Sequence, residues 1–304
     1  MKKVSVIMSA YKEPLEWVSK CVESVANQTI KPYEYIIIID CPHNSDLIGL
    51  LNEYANKYQF IKVLVNDVNS GLVKSLNRAL KYCNGDYIAR IDADDYAELN
   101  RFELQLDYMD EMKYDIVGSG YNVFYDDLVL EERLGKTNDK LCKKILKYAT
   151  CINHPTWMVK SEVYKDLNGY RDIDSCEDLD FLIRAASKGY KMGCVKKPLV
   201  WYRNNPSSIS HINYSKQKAI KQFLCDNYSK HKEVSYELYN DYIHSKKFSK
   251  IVKSLELAQK LKNQNDSNKI ISMIIRDIKL CFNDQYIKQV ICNQKIKIIT
   301  KLYS

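Results

Sequence analysis

Glycine is scarce in this chain: nine residues in 304, the first of them Gly49. The turn after the opening apolar run, Ser9-Ala10-Tyr11-Lys12-Glu13, therefore holds neither a GxGxxG nor a GxxxxGKS/T pattern. Without glycine the backbone does not wrap a phosphate in either of those ways, which argues against dinucleotide dehydrogenases and P-loop NTPases. Long apolar runs are also missing. The strongest candidate, residues 35–40 with four isoleucines, is far too short to cross a bilayer. Met1-Lys2-Lys3 passes straight into Val4-Ser5-Val6-Ile7-Met8 with no signal-peptide h-region, so the expected location is cytoplasmic. Paired cysteines are lacking too. The ten cysteines are scattered without a CxxC, which argues against a zinc site, a redox motif or a disulfide framework. They read as small buried hydrophobes.

What is present describes an ordinary globular chain, 46% apolar and 28% charged. Its length fits one enlarged domain or a main domain with an appendage. The charge is uneven. Residues 211–304 carry 18 Lys+Arg against 8 Asp+Glu, whereas the preceding part is net −2. A nearly neutral front joined to a basic tail suggests chemistry in front and an anionic surface met by the back. No nucleic-acid-binding module is recognisable, so nucleic acid is not an expected partner.

The first half alternates strand and helix patterns. Apolar runs at 4–9, 35–40, 61–65 and 86–91 read as strands, and 14–28, 46–58 and 72–83 as helices. That order predicts an α/β fold, a mostly parallel sheet with helices on both faces. Ligands in such sheets sit beyond the carboxyl ends of the strands. Further on, 100–112 and 177–188 read as helices, 155–160 and 198–203 as strands, and the chain is helical in pattern from about 214.

Three motifs carry chemistry. Asp92-Ala93-Asp94-Asp95 closes the fourth strand, and three crowded carboxylates favour a divalent ion such as Mg²⁺ or Mn²⁺, which in turn holds a diphosphate. Taken alone, the same residues would also serve as a polar turn capping the next helix. Asn69-x-Gly71-Leu72-x-Lys74-Ser75-Leu76-Asn77 opens a helix whose N-terminus suits anionic oxygen, with Lys74 as an added charge, although its apolar positions are core. Glu177-Asp178-x-Asp180 starts another helix, either as acids favoured in a first turn or as a general base held at a helix start.

In this order the motifs resemble inverting family 2 glycosyltransferases of the GT-A fold, over roughly residues 1–212, with residues 1–98 as the nucleotide-binding part and 99–212 as the acceptor part. Asn153-His154-Pro155-Thr156, Gly169-Tyr170 and Trp201-Tyr202-Arg203 resemble the bacterial branch that builds capsule, exopolysaccharide or O-antigen. The resemblance implies that Asp40 accepts a hydrogen bond from uracil N3–H and that Ala10, Tyr11 and Glu13 line a nucleoside pocket. It places Asn69, Gly71, Lys74, Asn77, Asp92 and Ala93 around the UDP-sugar, and Asp94 with Asp92 and His211 at Mn²⁺ or Mg²⁺. Asp178 would be the base, and Asp95 and Glu177 would face acceptor or sugar; His154 would either meet acceptor or diphosphate or be a structural histidine before proline. The donor would be UDP-Gal, UDP-Glc, UDP-GlcNAc or UDP-GalNAc, and the acceptor a lipid-diphosphate-linked saccharide.

There are departures from the family pattern. Cys41-Pro42 follows Asp40 where many members have a second aspartate, and the Gln-x-x-Arg-Trp motif of processive synthases is absent, which favours single-sugar addition. The rival classes are a non-catalytic nucleotide-sugar or membrane-binding module of the same fold and a sugar-nucleotide pyrophosphorylase, the latter disfavoured by the missing glycine-rich loop. In the basic helical region, 213–304, Ile271, Ile274, Ile275, Ile278 and Phe282 recur at helical spacing, and Lys288, Lys295, Lys297 and Lys301 follow. That region either packs on the catalytic part or rests on the anionic inner face of the cell membrane, making the protein peripheral there.

Overall fold

The computed structural model describes residues 2–126, 128–135, 138–205, 213–263 and 283–303. Four short strands form its first half: β1 (Val4–Ala10), β2 (Glu34–Ile39), β3 (Ile61–Val65) and β4 (Tyr87–Arg90). They pair in parallel in the order β3-β2-β1-β4. The isoleucine run of β2 shows why this sheet is covered on both sides. Ile36 and Ile38 enter one core with Leu76, Ile88 and Phe181, while Ile37 and Ile39 enter the other with Val18, Leu47 and Phe102. Successive side chains point to opposite faces of a strand, so an unbroken apolar run needs a layer on each.

Helices α1 (Leu15–Ala26) and α2 (Ser45–Lys57) supply one layer and α3 (Leu72–Leu80) belongs to the other. Asn44 caps α2 by accepting a bond from the Leu47 amide. The expected extension of α3 to residue 83 is not made. Amides 81–83 bond three residues back instead of four, tightening the end of the helix.

Beyond β4 the pairing changes. The sheet continues through β8 (Met158–Lys160), antiparallel to β4, then β6 (Ile116–Tyr125), β9 (Met192–Arg203) and the short β5 (Tyr96–Ala97), with β7 (Leu128–Arg133) on β6. The expected parallel character thus holds through the first four strands and returns only between β6 and β9. Strand β9 starts six residues earlier than its pattern suggests. Exposed Lys196-Lys197 and Pro198 interrupt the apolar run, and the register against β6 shifts there, which lets a proline sit in a strand interior. Residues 154–156 form a single 3-10 turn rather than the start of a strand; Thr156 Oγ1 bonds the Asn153 carbonyl at 2.7 Å and closes it.

The remaining helices are α4 (Arg101–Met112), α5 (Asp139–Ile145), α6 (Ser161–Asp166), α7 (Glu177–Ser187), α8 (Tyr214–Ser229), α9 (Tyr236–Ile243), α10 (Lys246–Asn263) and α11 (Asp284–Tyr303). The C-terminal helices dock beside α7. Gln217 Nε2 donates to Ser175 O at 2.8 Å, Arg171 Nη1 to Val234 O at 2.7 Å, and the Asp174 amide to Tyr239 Oη at 3.1 Å. His211 and the apolar stripe 271–282 lie outside the described residues.

Candidate active site

Because β1, β2 and β4 are parallel, Ala10, Asp40 and Asp92 arrive at one edge of the sheet. Ala10 is fully buried and its carbonyl accepts the Asp40 amide at 2.8 Å, so it forms the floor of this edge and does not reach outward. Tyr11 is 37% exposed beside it. The Glu13 carboxylate accepts the Tyr11 amide at 2.7 Å and shapes the glycine-free turn.

Asp40 is engaged by the chain itself. Oδ1 accepts from Asn66 Nδ2 at 2.6 Å and from the Ser70 amide at 2.8 Å, and Oδ2 accepts from the Gly71 amide at 2.8 Å. Asn66 also donates to Ser75 Oγ and accepts from Arg78. Gly71, at φ +85, turns the chain into α3, a conformation that disfavours side chains. Asp40 therefore fixes the start of α3, and two of the amides expected to meet an anion are already bonded to it. Asn69 Oδ1 accepts the same Gly71 amide at 3.2 Å, and Lys74 is exposed on the first turn.

Asn77 corrects the expectation of a UDP-sugar contact. Its Nδ2 donates to Tyr170 O at 2.8 Å and its Oδ1 accepts the Tyr170 amide at 2.9 Å, so it clamps a remote loop. Asn77 Oδ1 would lie 2.5 Å from a Cβ at Gly169, which keeps that position glycine.

The turn after β4 sorts its four residues. Ala93 is 2% exposed and packs in the core, so its side chain is no donor contact. Asp95, expected near acceptor or sugar, is 1% exposed; Oδ1 accepts the Arg203 amide at 2.8 Å, and Oδ2 has no partner. Burial, then repulsion from Asp94 and Asp92, pushes its carboxyl well above the usual range. Asp94 is half-buried, and burial with Asp92 and Glu13 raises it to about 7. Asp92 pairs with Arg90.

Arg90 was not apparent from the sequence, although a charge inside an apolar strand was the available signal. It is 3% exposed, and its Nε and Nη1 have no hydrogen-bond partner. Its charge acts on Asp92, Tyr170, Glu177 and Asp95, so it links the turn after β4 to the start of α7. Arg203 belongs to the Trp201-Tyr202-Arg203 motif. Its Nε donates to Asp94 O at 3.0 Å, and its guanidinium lies 4.1 Å from the Trp17 ring centroid and 4.4 Å from that of Phe124.

At the start of α7, Glu177 is buried and Asp178 half-buried. Burial raises both carboxyls; Glu177 adds to the rise at Asp178 and Lys221 of α8 opposes it. His154 takes the structural one of its two readings, not the acceptor-site one. It is 6% exposed, its Nε2 pairs with Tyr170 Oη at 2.9 Å, and Nδ1 lies 3.5 Å from Glu177 Oε1. Burial, then Arg90, pushes it down to about 3, so the ring is neutral and braces Glu177 and Tyr170 rather than meeting a substrate.

The edge thus gathers Glu13, Asp92 and Asp94 on one side and Glu177 with Asp178 on the other. Among the described residues no three His, Cys, Asp or Glu side chains enclose a metal point. The donor set nevertheless fits Mg²⁺ or Mn²⁺, because such ions take one or two carboxylates and complete their shell with water and substrate phosphates. Burial first, then repulsion from Asp92 and Glu13, raises the Asp94 carboxyl, and a bound cation would offset the repulsion.

Comparisons with known proteins agree with this architecture. Residues 5–167 match the family described as Glycosyl transferase family 2. An uncharacterized glycosyltransferase of Methanocaldococcus jannaschii is 33% identical over 218 residues, 70% of this chain and 75% of that protein. The O-antigen biosynthesis glycosyltransferase WbnJ of Escherichia coli is 27% identical over 74% of this chain and 86% of its own. The amylovoran biosynthesis glycosyltransferase AmsE of Erwinia amylovora is 30% identical over 61% and 70%. Among solved structures, S. aureus TarS 1-349 in complex with UDP superposes with a TM-score of 0.58 at 19% identity, covering 85% of this chain and 78% of that one, a likeness of the GT-A fold. The chain belongs to glycosyl transferase family 2 and is a glycosyltransferase.

Proposed function

We propose that the protein transfers one sugar from a UDP-sugar to a lipid-diphosphate-linked saccharide during bacterial surface-polysaccharide synthesis, with a divalent cation and inversion at the anomeric carbon. The observation that carries this reading is the meeting of the Asp92–Asp94 turn with the Glu177–Asp178 helix start at one sheet edge, joined through Arg90. Relatives named for O-antigen and amylovoran biosynthesis support the pathway class, and a fold neighbour solved with UDP-GlcNAc supports a uridine diphosphate donor.

A cation held by Asp94 and Asp92 would supply Lewis-acid stabilisation of the departing diphosphate. Tyr11 and the Glu13-bonded turn receive the nucleoside, with Asp40 setting the wall opposite through α3. Asp178 takes the acceptor hydroxyl proton on a carboxylate oxygen as that hydroxyl attacks the anomeric carbon from the face away from UDP. Its raised carboxyl is the better base for it, since proton affinity moves toward working pH. Attack from the opposite face inverts the configuration.

The test is UDP release from UDP-Gal, UDP-Glc, UDP-GlcNAc and UDP-GalNAc with Mn²⁺, with and without EDTA. Turnover of at least one donor, abolished by EDTA, is expected. Undiminished turnover in EDTA overturns the metal role. UDP binding without turnover of any donor, even with a lipid-linked acceptor fraction added, makes the protein a non-catalytic module.

A further inference from the structure

The last helix, α11, has two unlike faces. Its inner face is tied down: Cys292 Sγ donates to Tyr148 O at 3.5 Å and Gln289 Nε2 to Tyr214 Oη at 3.1 Å. Ile296, Ile299 and Thr300 on the same side are half-buried. On the opposite side Ile287, Val290, Ile291 and Ile298 are 39%, 41%, 49% and 57% exposed. Spacings of four and seven residues place Ile287, Ile291 and Ile298 in one row, with Val290 beside it. Lys288 and Lys295 border the row on one side and Lys297 on the other, all three exposed.

We propose that this outer face of α11 docks in the headgroup region of an anionic bilayer. The inference deepens the proposed function and rests on it for its purpose, since a lipid-linked acceptor is met at such a surface; the geometry of α11 stands apart from it. Charge complementarity selects the occupant. An apolar row between lysines is the pattern of a helix lying in the interface plane, with lysine stems along the acyl boundary and ammonium groups at phosphate level. A second copy meeting the same face would set lysines against lysines, which an isologous contact disfavours. The face lies on the surface and does not span: among the described residues no helix is long and apolar enough to cross a membrane. Through Tyr214 the docked helix bears on α8, and α8 packs on α7, whose first turn carries Asp178.

The experiment uses the full chain in flotation with vesicles of phosphatidylcholine, with or without phosphatidylglycerol. Two multiple variants are compared: Lys288→Glu with Lys295→Glu and Lys297→Glu, and Ile291→Ser with Ile298→Ser. Wild type is expected to float with the anionic vesicles and at least about tenfold less with the neutral ones, the difference fading at high salt. Each variant is expected to lose roughly tenfold of that binding, while melting temperature and vesicle-free UDP-sugar hydrolysis stay unchanged. Equal flotation with both lipids, or variants that float like wild type, overturn the inference. So does a concentration-dependent dimer that both variants abolish while vesicle binding persists, which would give the face to a second copy. Absence of hydrolysis in wild type bears on the proposed activity alone and leaves the flotation result to stand.

Discussion

The turn after β4 and the first turn of α7 are both acidic, and each splits its carboxylates between two tasks. In the first, Asp94 is half-buried with a raised carboxyl, while Asp95 is buried and bonded to the Arg203 amide. In the second, Asp178 is half-buried with a raised carboxyl, and Asp180, 1% exposed, is gripped by Arg171 and by Arg184 at 2.8 Å. Arg184 also donates to the carbonyls of Leu167 and Gly169. The buried member fixes the turn, while the outer one keeps lighter ties, Asp94 to the Asn205 side chain and Asp178 to the Leu179 amide. Density of acidic residues is therefore a poor guide to chemistry, and what separates the two kinds is how deeply the fold encloses them.

The comparison can be broken at each carboxylate. The largest effect is expected from Asp178→Asn, which removes the base and keeps the shape: kcat falls on the order of 10²–10⁴-fold, while UDP affinity by calorimetry and the melting temperature hold. Unchanged turnover would strip Asp178 of its role. Asp180→Ala should do the reverse, leaving two arginines uncompensated and costing about 3–5 kcal/mol of stability, read by denaturant titration. A stable Asp180→Ala protein would mean that the pairing holds nothing.

Asp94→Asn comes next, with kcat lowered on the order of 10²-fold and UDP binding no longer strengthened by Mn²⁺. The smallest effect concerns His154, whose ring stays neutral in the folded chain down to about pH 3. An unfolded histidine titrates near ~6.5, so below that pH the unfolded chain takes up a proton that the folded one refuses. The contribution is fully present above that range and is lost as pH falls toward 3. It reaches at most about 2 kcal/mol between pH 6.5 and 5. His154→Phe should flatten the acid limb of melting temperature against pH, and a limb of unchanged slope would place the titration elsewhere.

Reading along the chain located the strand ends at Asp40 and Asp92 and the helix start at Glu177, because periodicity shows where an apolar run stops and a polar residue takes over. It did not show what those residues face. Asn77 belongs to a motif that suggests donor contact, yet its partner is Tyr170, 93 positions away. His154 lies next to a proline in a polar stretch, and only the packing of Trp157 and Tyr170 around it reveals a neutral, enclosed ring. Arg90 stands out as a charge inside an apolar strand, but the pattern does not show that it pairs with Asp92. Long-range pairing decides whether a polar group is bound or available, and local pattern carries no record of it.

The sheet runs unbroken from β3 to β5, passing from the parallel strands to the mixed part through the β4–β8 ladder, and the Asn77 clamp adds a second tie. Among the described residues, the ladder and the clamp join the two parts of the sheet directly. A frame tied in this way favours local adjustment at its edge over bending between its two parts.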